Sequence, residues 1–208
     1  TGLEALGAKV TIEEGYVLAE GRLKGTDFAL DFPSVGATEN LLMAACRAEG
    51  VTRLTNVARE PEIVDLAAFL NEMGAQISGA GTDLITVVGV DELGGAEHAV
   101  IPDRIETGTF LLAGVATHGD VTVQNASADH LTSFLTKLRE TGAEVEVTGT
   151  RIRARAVNGF KSTDVTTQPF PGFPTDLQAQ TMAMLCVAEG ASVIRETVFE
   201  NQIGRAHV

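Results

Sequence analysis

Between Pro61 and Met73 the apolar residues fall at helical spacing, with Ile63, Leu66, Ala67, Leu70 and Met73 along one face and Gly74 placed to end the helix. Asp129 to Thr141 repeats the pattern with Leu131, Phe134, Leu135 and Leu138, and Gly142 is its stop. A second kind of helix is predicted at 41–48, 110–117 and 182–188. These stretches are apolar nearly all round, which suits an interior wrapped by other elements. Alternating runs at 8–19, 84–90 and 143–156 predict strand pairs, with turns at Glu14-Gly15, Gly79 to Asp83 and Gly149. A further short strand is expected after each interior helix, at 52–57, 120–125 and 192–198.

These elements recur. LEALGA (3–8), LNEMGA (70–75) and LRETGA (138–143) lie about 67 residues apart, and Gly50, Gly119 and Gly190 mark a second register. A period of that length, holding both strands and helices, is one supersecondary unit that shares a core with its copies. The predicted class is therefore mixed α/β, with strands outside central helices. The one proline cluster, 169–174, reads as an ordered loop.

Composition narrows the function. The 208 residues are 44% hydrophobic, ample for one large domain or two small ones. Asp and Glu number 28 against 15 Lys and Arg, a formal charge of −13, and such a field repels phosphate backbones and anionic membranes. Nucleic acid and membrane are thus not expected as partners, and an anionic substrate would need local arginines or helix N-termini. Cys46 and Cys186 stand at equivalent places in their repeats, away from any metal-ligand spacing, and are expected to be reduced core residues. No stretch has the length of a membrane span and no signal peptide opens the chain. Thr1 falls partway through a repeat with no methionine before it, as in a fragment.

Each interior helix is entered through a polar segment: Pro33 to Thr38, Asp103 to Thr109, and Phe173 to Gln178. Free N–H groups at a helix start favour a phosphate or carboxylate, yet Ser, Thr and Asp there are also ordinary caps. Arg59, Glu60, Glu62, Arg104 and Glu106 form a dense set of charges at two junctions. They serve either a structural network or substrate contact.

The strings FPSVGATENLLMAA, AREPEIVDLAAFLNEMGA, IPDRIETGTFLLAG, FPTDLQAQ and ETVFEN, in this order and spacing, resemble the enolpyruvyl transferase (EPSP synthase-like) family, and within it the branch that acts on UDP-N-acetylglucosamine. The resemblance covers about residues 1 to 201. It implies an inverse α/β barrel fold: two similar domains, each of three βαβαββ units with buried helices, and substrates in the cleft between them. Residues 1–102 would be the later part of one domain, 103–201 the early part of the other, and 202–208 (QIGRAHV) a non-native tail. The implied reaction moves the enolpyruvyl group of phosphoenolpyruvate to the 3-hydroxyl of UDP-N-acetylglucosamine, the first committed step of peptidoglycan synthesis in the bacterial cytoplasm. Both substrates are small molecules, and no cofactor or metal is implied.

Carried over by position, Asp176 of FPTD resembles the carboxylate that takes the proton from the sugar hydroxyl, a role requiring an ionised group within hydrogen-bond reach. Ser34, Val35 and Gly36 resemble the segment that meets the UDP moiety, and Val198 and Phe199 the other wall of that site. Glu60, Glu62, Arg104 and Glu106 match family charges near the cleft and the domain crossing, without a chemical step. Phe32 stands where the family often has lysine, so one charge contact to the nucleotide is lost. The family's Lys-Asn pair for phosphoenolpyruvate and its acid-bearing loop have no counterpart in this sequence, and neither cysteine matches the acid. The chain by itself is therefore expected not to turn over. Cut from its domains, it should also expose helix faces such as 111–115. The competing readings are 3-phosphoshikimate 1-carboxyvinyltransferase, which shares the fold and chemistry, and a non-catalytic repeat module that binds a protein through its acidic surface.

Overall fold

The structure, a computed structural model, describes residues 1–156 and 158–199. The expected non-native tail, 202–208, lies outside the described residues. The chain divides into two compact units, Thr1–Ile101 and a second that starts at Pro102.

The first unit opens with a short helix α1 (Gly2–Ala5) and a hairpin of β1 (Lys9–Glu13) and β2 (Tyr16–Glu20), turned at Glu14 and Gly15, both with positive φ. A full βαβαββ unit follows: β3 (Asp27–Ala29), α2 (Val35–Ala45), β4 (Val51–Thr55), α3 (Pro61–Glu72), β5 (Gln76–Ser78) and β6 (Leu84–Val88). The strands form one sheet in the order β3-β4-β6-β5, parallel between β3 and β4 and antiparallel elsewhere. Alternation decides which face is buried: Thr52 and Leu54 of β4 and Ile85 and Val87 of β6 point inward and are sealed. They pack with Leu41 and Leu42 of α2, Ile63 of α3 and Leu6 beside α1. Past β6 the chain is extended and folds back on α3, where the His98 ring lies 3.0 Å from both Glu72 and Asp65 and stacks on Phe69 at 5.2 Å.

In the second unit the repeat continues with α4 (Arg104–Ala116), β7 (Asp120–Val123), a 3-10 turn (Ala128–Leu131) leading into α5 (Thr132–Glu140), β8 (Glu144–Thr148) and β9 (Arg151–Arg155). The sheet order β7-β9-β8 is the counterpart of β4-β6-β5. Ile152 and Ala154 of β9 face a core with Leu111, Leu112, Phe134 and Leu138, while the outward Arg153 and Arg155 pair across the sheet with Asp120 and Glu144. The next repeat then begins: β10 (Val165–Thr166), a 3-10 turn (Thr175–Leu177), α6 (Gln178–Leu185) and β11 (Ile194–Arg195), with β10 parallel to β11 as β3 is to β4. The isolated parallel bridges Lys24 to Glu49 and Lys161 to Glu189 are likewise one contact made twice. The 169–174 loop is ordered, as expected: Ser133 donates to the Gly172 carbonyl at 2.8 Å and Phe173 packs on Phe134.

Four expectations change. The interior helices begin before their apolar runs, because Ser34 and Asp103 cap them and turn the polar entry segments into their first turns. These helices are not buried all round. In α4, Leu111, Leu112 and Val115 are sealed, and the exposed stripe carries Phe110, which is 54% exposed, so 111–115 is not the open face. Cys46 is buried, but Cys186, the residue just past α6, is exposed beside Val187. The strand expected over 192–198 is only Ile194–Arg195, because beyond it the backbone bonds to side chains instead of a neighbouring strand.

Candidate active site

Within the second unit a single carboxylate gathers the expected residues. Glu196 accepts from Thr167 Oγ1 at 2.7 Å, Val198 N–H at 2.7 Å and Phe199 N–H at 3.0 Å on one oxygen, and from Thr175 Oγ1 at 2.9 Å on the other. Burial pushes this carboxyl up, yet the hydrogen bonds from Phe199, Thr167, Val198 and Thr175 together hold it below the ordinary carboxylate value. Thr197 adds a second tie, with its N–H donating to Thr167 Oγ1 at 2.9 Å. The turn bearing Asp176 and the segment bearing Val198 and Phe199 are thereby fastened to each other. Asp176 is exposed on its 3-10 turn, and among the described residues no hydrogen bond reaches its carboxylate. It caps neither the turn nor α6. Phe199 is half exposed and Val198 half-buried.

The Ser34, Val35 and Gly36 segment forms the entry of α2 in the first unit. Ser34 Oγ accepts from Ala37 N–H at 3.3 Å, and the amides of Val35 and Gly36 lie in a first turn, where a helix supplies no acceptor of its own. A methyl group at Gly36 would meet nothing within 4 Å, so the backbone there is open to approach. The buried Thr38 donates to the Ser34 carbonyl at 2.8 Å and accepts from Ala58 N–H at 3.0 Å. That joins the serine turn to the stretch leading into Arg59, Glu60 and Glu62. Glu60 is buried at the start of α3 and Glu62 is half-buried in its first turn. Burial, and after it repulsion from Glu62, raise the Glu39 carboxyl of α2 above its ordinary value.

At the start of α4 the Asp103 carboxylate accepts from the N–H groups of Ile105 (2.7 Å) and Glu106 (3.0 Å). Arg104 is buried with its guanidinium over the Phe170 ring at 5.9 Å, whereas Glu106 is exposed. The two lie on one turn in different surroundings. Among the described residues no cluster of three or more His, Cys, Asp or Glu is arranged to hold a metal ion, and no helix is long and apolar enough to cross a membrane.

Sequence reasoning passed over Glu196 and Glu39, and it placed Thr38 and Thr175 in the helix-entry segments without seeing what their hydroxyls bond. One signal was available for Thr38: threonine recurs at 107, the same distance before its register glycine, and the fold adds Thr181, the fourth residue of its interior helix as Thr38 and Thr107 are of theirs. Each is buried, with its hydroxyl on the carbonyl four residues back, at 2.8, 2.8 and 2.7 Å. Glu196 lies inside ETVFEN, yet nothing in the string tells that its carboxylate turns back on Thr167 and Thr175.

Repeats of βαβαββ type wrapped around interior helices are the fold in which these residues stand. The sequence profile of the family described as EPSP synthase (3-phosphoshikimate 1-carboxyvinyltransferase) matches residues 1–207, and the chain belongs to that family. UDP-N-acetylglucosamine 1-carboxyvinyltransferase 1 of Caldanaerobacter subterraneus subsp. tengcongensis is 56% identical over 202 residues, covering 97% of this chain and 49% of that protein. UDP-N-acetylglucosamine 1-carboxyvinyltransferase 2 of Staphylococcus saprophyticus is 55% identical over 203 residues, covering 97% and 48%. The chain thus spans about half the length of the curated relatives it matches. Among solved structures, the enolpyruvyl transferase NikO from Streptomyces tendae superposes with a TM-score of 0.86 at 23% identity, over 99% of this chain and 52% of that one. EPSP synthase from Acinetobacter baumannii gives 0.60 at 22% identity, over 93% and 46%. At such identity these two speak for the fold alone.

Proposed function

We propose that this chain is part of an enolpyruvyl transferase that joins the enolpyruvyl group of phosphoenolpyruvate to the 3-hydroxyl of UDP-N-acetylglucosamine, in the bacterial cytoplasm, to begin peptidoglycan synthesis. The observation that carries the reading is the exposed Asp176 carboxylate, spent on no cap and fastened through Thr175 and Glu196 to the Val198 and Phe199 backbone. Sequence identity of 56% to a relative named for this reaction supports the UDP-sugar over shikimate 3-phosphate.

In the transfer the sugar oxygen bonds to C2 of phosphoenolpyruvate as the family's acid delivers a proton to C3; loss of a proton from C3 then restores the double bond while the bond from C2 to the phosphate oxygen breaks and phosphate departs. The hydroxyl proton passes to Asp176 and finally to the released phosphate pool. Val198 and Phe199 serve as a wall for the nucleotide sugar, and Ser34, Val35 and Gly36 offer first-turn amides to its diphosphate. Glu60, Glu62, Arg104 and Glu106 set the charge around the substrates without handling a proton. The 208-residue chain alone holds one acid-base group of the set and is expected to give no turnover.

The test is calorimetric titration of UDP-N-acetylglucosamine into the product of the complete gene, with Asp176→Ala alongside and phosphate release measured with phosphoenolpyruvate. Binding by both proteins, with kcat sharply reduced but still measurable only in the variant, supports the reading. Binding of shikimate 3-phosphate instead, or of neither compound, refutes it.

A further inference from the structure

We propose that Glu196 is the positioning residue of this site: one side chain that locks the Asp176 turn and the 198–199 backbone into a single piece, so that base and substrate wall keep a fixed separation. The inference rests on the role given to Asp176 above. Its geometric ground is the division of labour between the two carboxylate oxygens. One accepts from Thr167 Oγ1, Val198 N–H and Phe199 N–H, and the other reaches Thr175 Oγ1, next in sequence to Asp176. A carboxylate offers acceptor sites for all four donors, three of them on one oxygen, and charge-assisted bonds are stronger and shorter than neutral ones.

Comparison of the repeats isolates what is special here. The registers of Gly50, Gly119 and Gly190 put Asn56, Asn125 and Glu196 at one position, just beyond β4, β7 and β11. Asn56 and Asn125 both take the left-handed backbone, with φ of 53° and 54°. Asn56 donates one hydrogen bond, to the Leu30 carbonyl at 2.7 Å, and so closes the sheet edge. Glu196 faces the equivalent residue, Thr167, but accepts instead of donating and extends to the Thr175 turn as well. A repeat that needed only closure had an asparagine solution, and this one carries a carboxylate where the Asp176 turn must be held. An error of about 1 Å in a reacting group costs about 100-fold in rate, so a link of this kind is a plain route to rate without contact with substrate.

The experiment uses the product of the complete gene and steady-state phosphate release for wild type, Glu196→Ala, Glu196→Gln, Thr175→Ala, Asp176→Ala and the double variant of Glu196→Ala with Asp176→Ala. Thr175→Ala cuts only the arm to the base, so kcat falls by about 10- to 100-fold while KM for UDP-N-acetylglucosamine holds. Glu196→Ala frees the wall too, so kcat falls and KM rises. Glu196→Gln keeps an acceptor for Val198 and Phe199 and an amide for the Thr175 hydroxyl, and restores most of both. In the Asp176→Ala background Glu196→Ala costs little more, because the group it positions is gone. Additive losses in the double variant, or an unchanged kcat in Thr175→Ala, overturn the positioning role while the wild-type activity stands. Absence of turnover by the wild type sinks the transfer reading itself. Amide exchange at Val198 and Phe199 reads the network without activity: it should speed up at least about 10-fold in Glu196→Ala and hardly at all in Glu196→Gln, and equal rates in all three proteins would refute the lock.

Discussion

Two neighbours on α4 offer a test of which face of that helix the fold uses. Leu111 is sealed, with 0% exposure, against the core that includes Ile152 and Leu177, while Phe110, one residue earlier, is 54% exposed. Leu111→Ala removes three carbons, worth about 2.4 kcal/mol at roughly 0.8 kcal/mol each. The space left, of the order of 60 Å³ after partial relaxation, adds about 1.5 kcal/mol at roughly 24 cal/mol per Å³, for a total of about 4 kcal/mol. Phe110→Ala surrenders about 90 Å² of buried area, about 2 kcal/mol at roughly 25 cal/mol per Å². The better helix propensity of alanine returns about 0.5 kcal/mol, leaving about 1.5 kcal/mol. Hydrogen exchange of the β9 amides of Ile152 and Ala154, followed in the 208-residue chain and both variants, measures the opening free energy of this unit without assuming that the whole chain melts in one step. Phenylalanine is the larger residue, so burial all round predicts the opposite order. A loss for Phe110→Ala equal to or above that for Leu111→Ala would refute the assignment of the faces.

The remaining predictions concern the first unit. Hydrogen bonds from the His98 ring to Asp65 and then Glu72 raise the His98 pKa above its ordinary 6.5. The clamp therefore contributes stability fully below the unfolded pKa and loses it as pH rises through the raised folded value. A ring titration by NMR should show that raised midpoint, with protection of the 89–101 backbone falling in step; a midpoint at or below 6.5 would refute it. Gly89→Ala would place a methyl carbon 1.6 Å from the Ala48 carbonyl oxygen and should cost about 3 kcal/mol or more in a denaturant titration. Gly36→Ala meets open space inside a helix and should gain about 0.5–1 kcal/mol in the same assay; equal effects at the two glycines would contradict the packing described.

The repeat, the helix types and most strand positions were legible because each is written in a local period: 3.6 residues for 61–72, two for 84–88, and about 67 for the whole unit. What stayed hidden depends on partners distant in sequence. Cys46 and Cys186 carry the same apolar signature, and only the fold shows that the Val90 amide bonds to the Cys46 carbonyl and helps to close that end of α2, while Cys186, at the end of α6, is exposed. In the same way Asp103 and Asp176 look alike as helix-entry acids. The first is spent on two backbone amides and the second on none among the described residues. Chemistry at Asp176 was therefore suggested by resemblance, and its availability by geometry.

The threonines at 38, 107 and 181 have a consequence for how such a repeat changes over time. Because each secures its helix entrance from inside, through the carbonyl four residues back, the residues on the outside of that entrance are released from holding the helix together. A serine that caps and an aspartate that caps can then occupy the same place in successive copies, and the third copy can carry beside that place an aspartate that caps nothing. One anchored doorway, copied three times, leaves each threshold free to acquire its own trade.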